Sequence, residues 1–247
     1  MDLTDEMAKE RGMTADLAGF EAAMEKQVER SRATARFDNA AEDETPWEWL
    51  AGEGASNSRF VGYDTLDTEC TVVARRPVDG TWELLLEPTP FYAEGGGQVG
   101  DRGRLLQGDT PVFEITDVVR REDRHVHRGK PVGNAIPEGK LRARVDDAAR
   151  RSTERNHTAT HLLHAALKRV VGSHVTQAGS LVAPDRLRFD FNHCAPLTPA
   201  QIRAIEDDVN NAVLGDYPVQ KEITTMDEAR AAGAVAMFGE KLGDKVR

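Results

Sequence analysis

Short strand-like segments separated by turn signals run from about residue 59 to residue 145, and they limit the possible folds more than any other feature. Residues 70–76 and 82–87 flank Asp79-Gly80, a pair typical of a tight hairpin turn. Further strands are predicted at residues 103–107, 112–119, 125–128 and 141–145. Several short strands at this spacing favour a small β-barrel.

Helical patterns lie on both sides of this stretch. The first 36 residues predict two helices, and the acidic residues 38–58 predict a linker with a docking point at Trp47, Trp49 and Leu50. The elements predicted after residue 146 are a helix at 157–171, strands at 174–182, 187–191 and 219–223, a helix from a Thr198/Gln201 capping box to Gly215, and a short helix opened by Thr225 and Glu228.

We therefore predict an α+β fold in three parts. These are N-terminal helices with a linker at 1–58, a β-barrel subdomain at 59–145, and an α+β core at 146–247.

Composition narrows the class of protein. A chain of 247 residues that is 39% hydrophobic can form a packed core. Its net charge of −10 is unlike that of a dedicated nucleic-acid binder, so any RNA contact must use a local basic patch.

Cys70 and Cys194 lie far apart, which fits a reducing compartment. No secretory signal or membrane-spanning run is apparent, so we expect a cytoplasmic protein without a membrane partner.

Two histidines, His157 and His161, stand four residues apart in a predicted helix, so their imidazoles project from one face. One zinc ion can bridge two such rings. His164 continues this face, and the opposite face carries Leu162, Leu163, Ala166, Leu167 and Val170. Two interpretations stay open, a metal site and ordinary surface histidines. A zinc protease is disfavoured because Thr158 stands where those enzymes carry glutamate.

A glycine run, Gly95, Gly96 and Gly97, precedes Gln98 and, further on, Asp101. The segment lacks the Gly-Lys-Ser/Thr ending of a phosphate-binding loop. It is either a flexible connection between strands or a backbone that must approach a ligand closely.

Basic residues are dense around the predicted helix. They form either a solvated surface or a strip that contacts phosphates, and the sequence does not choose between the two. Cys70 is predicted to be buried and inert. Cys194 follows His193 in a turn, where it is either a further metal ligand or a structural or exposed thiol.

Several motifs together resemble the editing region of alanyl-tRNA synthetases. They are NHTATHLLHAAL, HVTQAGSLV, RLRFDFNH, FYAEGGGQVGDRG and the closing AMFGEKLGDKVR. The opening DLTDEMAKERGMTADLAGFEAAMEKQ resembles the stretch that precedes the editing region in the same family. The match covers nearly the whole chain in the family's order. Free-standing editing homologues generally lack the N-terminal helices, so we expect part of a synthetase.

The resemblance implies the second additional domain type of threonyl- and alanyl-tRNA synthetases. It implies an aminoacyl-tRNA deacylase that hydrolyses mischarged Ser-tRNA(Ala) and Gly-tRNA(Ala), since an alanine pocket cannot fully exclude serine or glycine. The expected partners are tRNA(Ala) and the rest of the synthetase, whose ATP-using aminoacylation core is not in this sequence. The alternative is a non-catalytic tRNA-binding fragment.

The resemblance also implies roles for single residues. His157 and His161 match the family's first two zinc ligands, Thr160 lines the pocket, and Gln177 matches a glutamine associated with substrate discrimination. The loop that closes over the site matches Gly95, Gly96, Gly97 and Gln98. We predict tRNA contacts, on charge alone, for Arg150, Arg151, Arg155, Lys168 and Arg169.

The zinc site implied by the resemblance is incomplete in this sequence. In the family a downstream Cys-Gly-Gly-Thr-His segment supplies the other two ligands, and the sequence ends at Arg247. Two imidazoles are fewer than the three or four protein ligands usual for zinc. We therefore expect a Zn²⁺ site with two of its ligands present.

Overall fold

The structure, a computed structural model, describes residues 12, 16, 19–20, 22–26, 45–52, 58–121, 123–218, 223–232 and 245–246. The chain divides into two compact units, Met1–Pro46 and Trp47–Arg247. In the first unit, residues 19–20 and 22–26 are helical, and Phe20 and Met24 are exposed. The first predicted helix and most of the predicted strand at 219–223 lie outside the described residues.

The second unit begins with the strands of one large sheet. In chain order they are β1 (Glu48–Trp49), β2 (Asp67–Val78), β3 (Thr81–Glu87), β4 (Gly103–Gln107), β5 (Thr110–Arg121), β6 (Arg124–Pro131) and β7 (Gly139–Val145). The remaining elements are helix α1 (Asp147–Val170), strands β8 (Gln177–Val182) and β9 (Leu187–Phe191), helix α2 (Pro199–Leu214), strand β10 (Thr224–Thr225), helix α3 (Met226–Ala231) and strand β11 (Lys245–Val246).

Six antiparallel strands close into the predicted barrel. The sheet runs in the order β1-β2-β3-β6-β5-β4-β7, and β7 also pairs with β2. Asp79 (φ 45°) and Gly80 (φ 75°) turn β2 into β3, as the sequence predicts for this pair. Closure leaves β1 as an extra strand outside the ring, paired with β2. The fold is therefore α+β with a six-stranded barrel and few helices.

The barrel interior is filled because its strands alternate. In β7, Leu141, Ala143 and Val145 are buried, whereas Arg142 and Arg144 are exposed. The interior cluster also contains Leu84, Leu86, Phe91, Phe113 and Ile115. Two of the predicted docking residues, Trp47 and Trp49, pack against a second hydrophobic cluster. The third, Leu50, packs against the interior cluster.

Helix α1 begins ten residues before the predicted start at residue 157. Asp146 caps it by accepting a hydrogen bond from the Ala149 amide at 3.0 Å. The early turns carry arginine, serine, threonine and glutamate, so the apolar periodicity that marks a helix is absent there. Helix α2 opens with the predicted Thr198/Gln201 capping box.

The apolar face of α1 packs against α2 and the β8–β9 hairpin. Its core consists of Ala166, Leu167, Val175 and Ile205, with Leu163 and Val170 at the edge. The predicted apolar face is thus confirmed, except that Leu162 lies outside this cluster. Within the described residues, no helix is long and apolar enough to cross a membrane.

Candidate functional site

The glycine-rich loop docks on the edge of β8. The Val182 amide donates to the Gly97 carbonyl at 2.8 Å, and the Val99 amide donates to the Val182 carbonyl at 3.0 Å. Gly97 has φ +83°, and a Cβ there would overlap Ser180 and lie 2.7 Å from its carbonyl oxygen. Only glycine permits both this backbone conformation and this approach. Gly97 therefore makes a close backbone approach, and the segment that it approaches is β8; a close approach of the glycine run to a ligand stays a prediction.

The docked loop reaches the histidine helix through Gln98. The Gln98 side chain is buried, and its Oε1 lies 2.7 Å from Nδ1 of His157. The rings of His157 and His161 stack at 5.1 Å between centroids, with 23° between their planes. The structure therefore brings together both predicted zinc ligands and the loop, although Gln98 and His157 are 59 residues apart in sequence.

Burial lowers the pKa of His157, and the neighbouring imidazole of His161 lowers it further. A half-buried imidazole of this kind favours its neutral form, which can accept a proton or bind a metal.

His164 does not join the pair. Its ring packs 5.2 Å from that of Phe189, and its Nε2 is buried without a hydrogen-bond partner. Burial lowers its pKa. His164 therefore faces the β8–β9 hairpin. The prediction that it continues the face of His157 and His161 is wrong.

Gln177 lies at the start of β8 with one half of its amide engaged. Its Nε2 donates to Oγ of Ser180 at 3.1 Å, while its Oε1 is buried with no hydrogen-bond partner. An unsatisfied buried acceptor costs about 1–3 kcal/mol, so such an atom calls for a ligand or an explanation.

Thr160 is buried, and its hydroxyl donates to the Asn156 carbonyl one turn earlier at 2.8 Å. Its hydroxyl hydrogen is thus used, and toward a ligand it can only accept. Asn156 in turn donates to the Ala183 carbonyl at 2.7 Å, which ties α1 to the end of β8.

Arg150 and Asp101 form a buried ion pair between α1 and the barrel. The Arg150 guanidinium donates to both Asp101 carboxylate oxygens and to the carbonyls of Gly62 (2.9 Å) and Pro90 (3.1 Å). Asp101 also accepts from the Tyr92 amide at 2.8 Å. The prediction that Arg150 contacts tRNA does not fit this structure, because the side chain is buried and its donors are engaged. The ion pair instead joins α1 to the segment between the glycine-rich loop and the barrel strand β4.

The other basic residues differ in exposure. Arg151 is exposed and pairs with Glu154 at 3.0 Å. Arg155 is exposed and donates to Ser152 at 2.8 Å. Arg169 pairs with Asp208 on α2 at 2.6 Å, and Lys168 is half-buried. Their predicted contacts with tRNA stay predictions.

The paired histidines fit part of a zinc site. Two imidazoles on one helix, one of them held through its other nitrogen by a carbonyl oxygen, are the donors and support that zinc uses in proteins. Within the part of the chain that the structure describes, no group of three or more His, Cys, Asp or Glu side chains could hold a metal. The residues present therefore account for two ligands.

Sequence reasoning missed Ser180, Asn156 and the role of Asp101. Ser180 and Asn156 lie inside the quoted motifs, so their positions were visible while their contacts were not. Asp101 was noted beside the glycine run, but its partner Arg150 is 49 residues away and could not be read from the sequence.

Comparison with known proteins places these features in context. The profile of the family described as tRNA synthetases class II (A) matches residues 1–149. The chain is 45% identical to the alanine–tRNA ligase of Pelotomaculum thermopropionicum, and the alignment covers the whole chain but 29% of that relative. It is 44% identical to the alanine–tRNA ligase of Halorhodospira halophila over the same shares. The chain thus spans less than a third of the length of these relatives.

Proposed function

The chain belongs to the class II (A) family of tRNA synthetases, and from this we propose that it is the editing module of an alanine–tRNA ligase. In this role it hydrolyses the ester of Ser-tRNA(Ala) and Gly-tRNA(Ala). The proposal assigns a role to each of the three predicted parts. Residues 1–58 are the tail of the tRNA-recognition region, residues 59–145 are the barrel subdomain, and residues 146–247 are the editing core.

One observation supports this proposal above the others. The glycine-rich loop docks on β8 at Val182 and beside Ser180, whose hydroxyl also holds Gln177. From the same loop, Gln98 reaches His157 at 2.7 Å. These segments are far apart in sequence. The loop contact distinguishes the half-buried His157 from an ordinary surface histidine.

The amide of Gln177 suggests how serine is recognised. Because Ser180 holds Nε2, the buried Oε1 remains an acceptor without a partner. A serine hydroxyl can donate to such an atom, and alanine has no hydroxyl to offer. An unpaired buried acceptor at this position therefore favours serine over alanine.

The histidines supply imidazoles beside the ester. His157 is held by Gln98 and kept neutral by burial, and the pair would hold Zn²⁺ as two of its ligands. Zinc, when bound, supplies a Lewis acid and lowers the pKa of a bound water. In hydrolysis the water oxygen bonds to the carbonyl carbon, and the bond from that carbon to the ribose oxygen breaks. A proton from the water goes to the ribose oxygen, so the products are the free amino acid and the tRNA ribose hydroxyl. Thr160 supports the pocket as an acceptor.

The proposal is tested by following deacylation of Ser-tRNA(Ala) by this chain with and without Zn²⁺. We expect His157→Ala and His161→Ala to lower the rate by roughly 100-fold or more, the usual contribution of a positioned acid, base or metal-linked group. His193→Ala is the matched control, since Nδ1 of His193 lies 3.0 Å from Nε2 of His174. Equal rates in all three variants would refute the assignment.

A non-catalytic tRNA-binding role is the second candidate. The absence of a third metal ligand among the described side chains favours it. Binding of tRNA(Ala) without any deacylation above the buffer rate, with Zn²⁺ present, would establish this role instead.

A further inference from the structure

The contact between Gln98 and His157 also indicates which ring nitrogen of His157 carries the proton. Oε1 of Gln98 is an amide oxygen, which can only accept a hydrogen bond. Nδ1 of His157, 2.7 Å away, must therefore carry the proton when the ring is neutral. Nε2 is then the nitrogen with the lone pair.

We propose that Gln98 is a positioning residue that selects this tautomer of His157, and that the docking of the glycine-rich loop on β8 delivers it. The tautomer follows from this contact alone, whereas its use in hydrolysis rests on the proposed function. Histidines that bind metals usually donate their second N–H to such an oxygen, which fixes the ring.

The loop is the means of delivery because Gln98 is fixed at its backbone. Its amide and carbonyl close a turn with Gly95 at 3.0 and 3.1 Å, and the residues on either side bond to Val182. Gly97 permits this approach, since any side chain there would overlap Ser180. Undocking the loop would withdraw the acceptor from His157 without touching the helix.

The loop therefore couples the barrel to the histidine helix. Asp101, three residues beyond Gln98, is bound to Arg150 on α1, so the segment is held to that helix at two points, about two turns apart. A helix that presents its histidine correctly thus requires an ordered barrel loop.

The test uses the full chain without metal and reads the tautomer of His157 from the ¹⁵N resonances of its ring, assigned by their loss in His157→Asn. In the wild type we expect a protonated Nδ1 and an unprotonated Nε2. Gln98→Glu keeps an acceptor oxygen and should retain this tautomer. Gln98→Leu removes the acceptor and should move Nε2 into the protonated region. Gln107→Leu, an exposed position on β4, is the matched control and should resemble the wild type.

Gly97→Ala separates the two halves of the proposal. It leaves Gln98 intact but blocks docking, so it should change the tautomer as Gln98→Leu does. An unchanged tautomer in Gln98→Leu would overturn the positioning role. An unchanged tautomer in Gly97→Ala alone would overturn delivery by the loop.

The deacylation assay on the same samples keeps this inference separate from the proposed function. A tautomer that follows Gln98 in a chain without deacylase activity would support positioning and refute the function. Deacylation with a tautomer that ignores Gln98 would do the reverse.

Discussion

The barrel and the α+β core treat their buried polar groups differently. In the barrel, the fully buried Glu83 is bound by Arg76 at 2.6 Å and Arg128 at 3.0 Å. In the core, Gln177 Oε1 and His164 Nε2 are buried without partners. His125 Nδ1 is the corresponding atom in the described barrel, and its ring stacks on Phe60. The described barrel thus pairs its buried carboxylate with arginines, whereas the core holds two buried polar side-chain atoms without a hydrogen-bond partner.

Two histidines show the same contrast at one residue type. His127 in the barrel has both nitrogens engaged, by Thr89 at 2.7 Å and the Leu84 carbonyl at 3.1 Å. Burial lowers its pKa to about 3. His157 has Nδ1 engaged by Gln98. The structural histidine is saturated, and the proposed functional one is held at one nitrogen.

The largest effect is expected from the barrel's buried charge. Glu83→Ala would leave Arg76 buried without its carboxylate and should lower the free energy of unfolding by about 3–5 kcal/mol. Glu114→Ala, an exposed position on β5, should change it by no more than about 0.5 kcal/mol. Denaturant unfolding measures both. Equal midpoints would show that the barrel does not depend on this ion pair.

A smaller effect is expected from the saturated histidine as pH falls. In the unfolded chain His127 binds a proton below the ordinary histidine pKa of 6.5, while in the folded chain it does so only near a pKa of about 3. Stability present near neutral pH is therefore lost on acidification through this interval. Relative to His127→Gln, the wild type should lose roughly 2–3 kcal/mol between about pH 7 and pH 4.5. Parallel pH profiles of the two proteins would contradict this.

The smallest stability effect is expected at the open acceptor. Gln177→Leu loses one hydrogen bond to Ser180 but removes an unpaired buried oxygen, so the free energy of unfolding should change by less than about 1 kcal/mol. Thr89→Val in the barrel should cost about 1–3 kcal/mol, because it strips His127 of a partner. Thermal unfolding compares the two.

The same Gln177→Leu variant should lose selectivity for serine. Removing the acceptor should slow deacylation of Ser-tRNA(Ala) roughly tenfold relative to Gly-tRNA(Ala), the equivalent of one hydrogen bond. An unchanged ratio of the two rates would place the discrimination elsewhere.

Local patterns predicted the parts of the molecule that depend on near neighbours. A few adjacent residues were enough to predict the Asp79-Gly80 turn and the capping box at Thr198. They also predicted β4 and β9 with the limits that the structure shows. The start of α1 was missed because its first turns carry no apolar stripe. The motifs brought His157 and Gln98 to attention, but spacing gave no reason to join them.

The sequence by itself determined the strand pattern, the helix faces and the residue types available for chemistry, because periodicity and turn preferences act over a few residues. Only the tertiary structure decided which of those residues meet. In the fold, Asp101 lies buried against Arg150 of α1, and the glycine-rich loop docks on β8. Arg150 therefore stabilises the fold, while His157, seven residues later on the same helix, contacts the glycine-rich loop, because each side chain meets a segment that is distant in sequence.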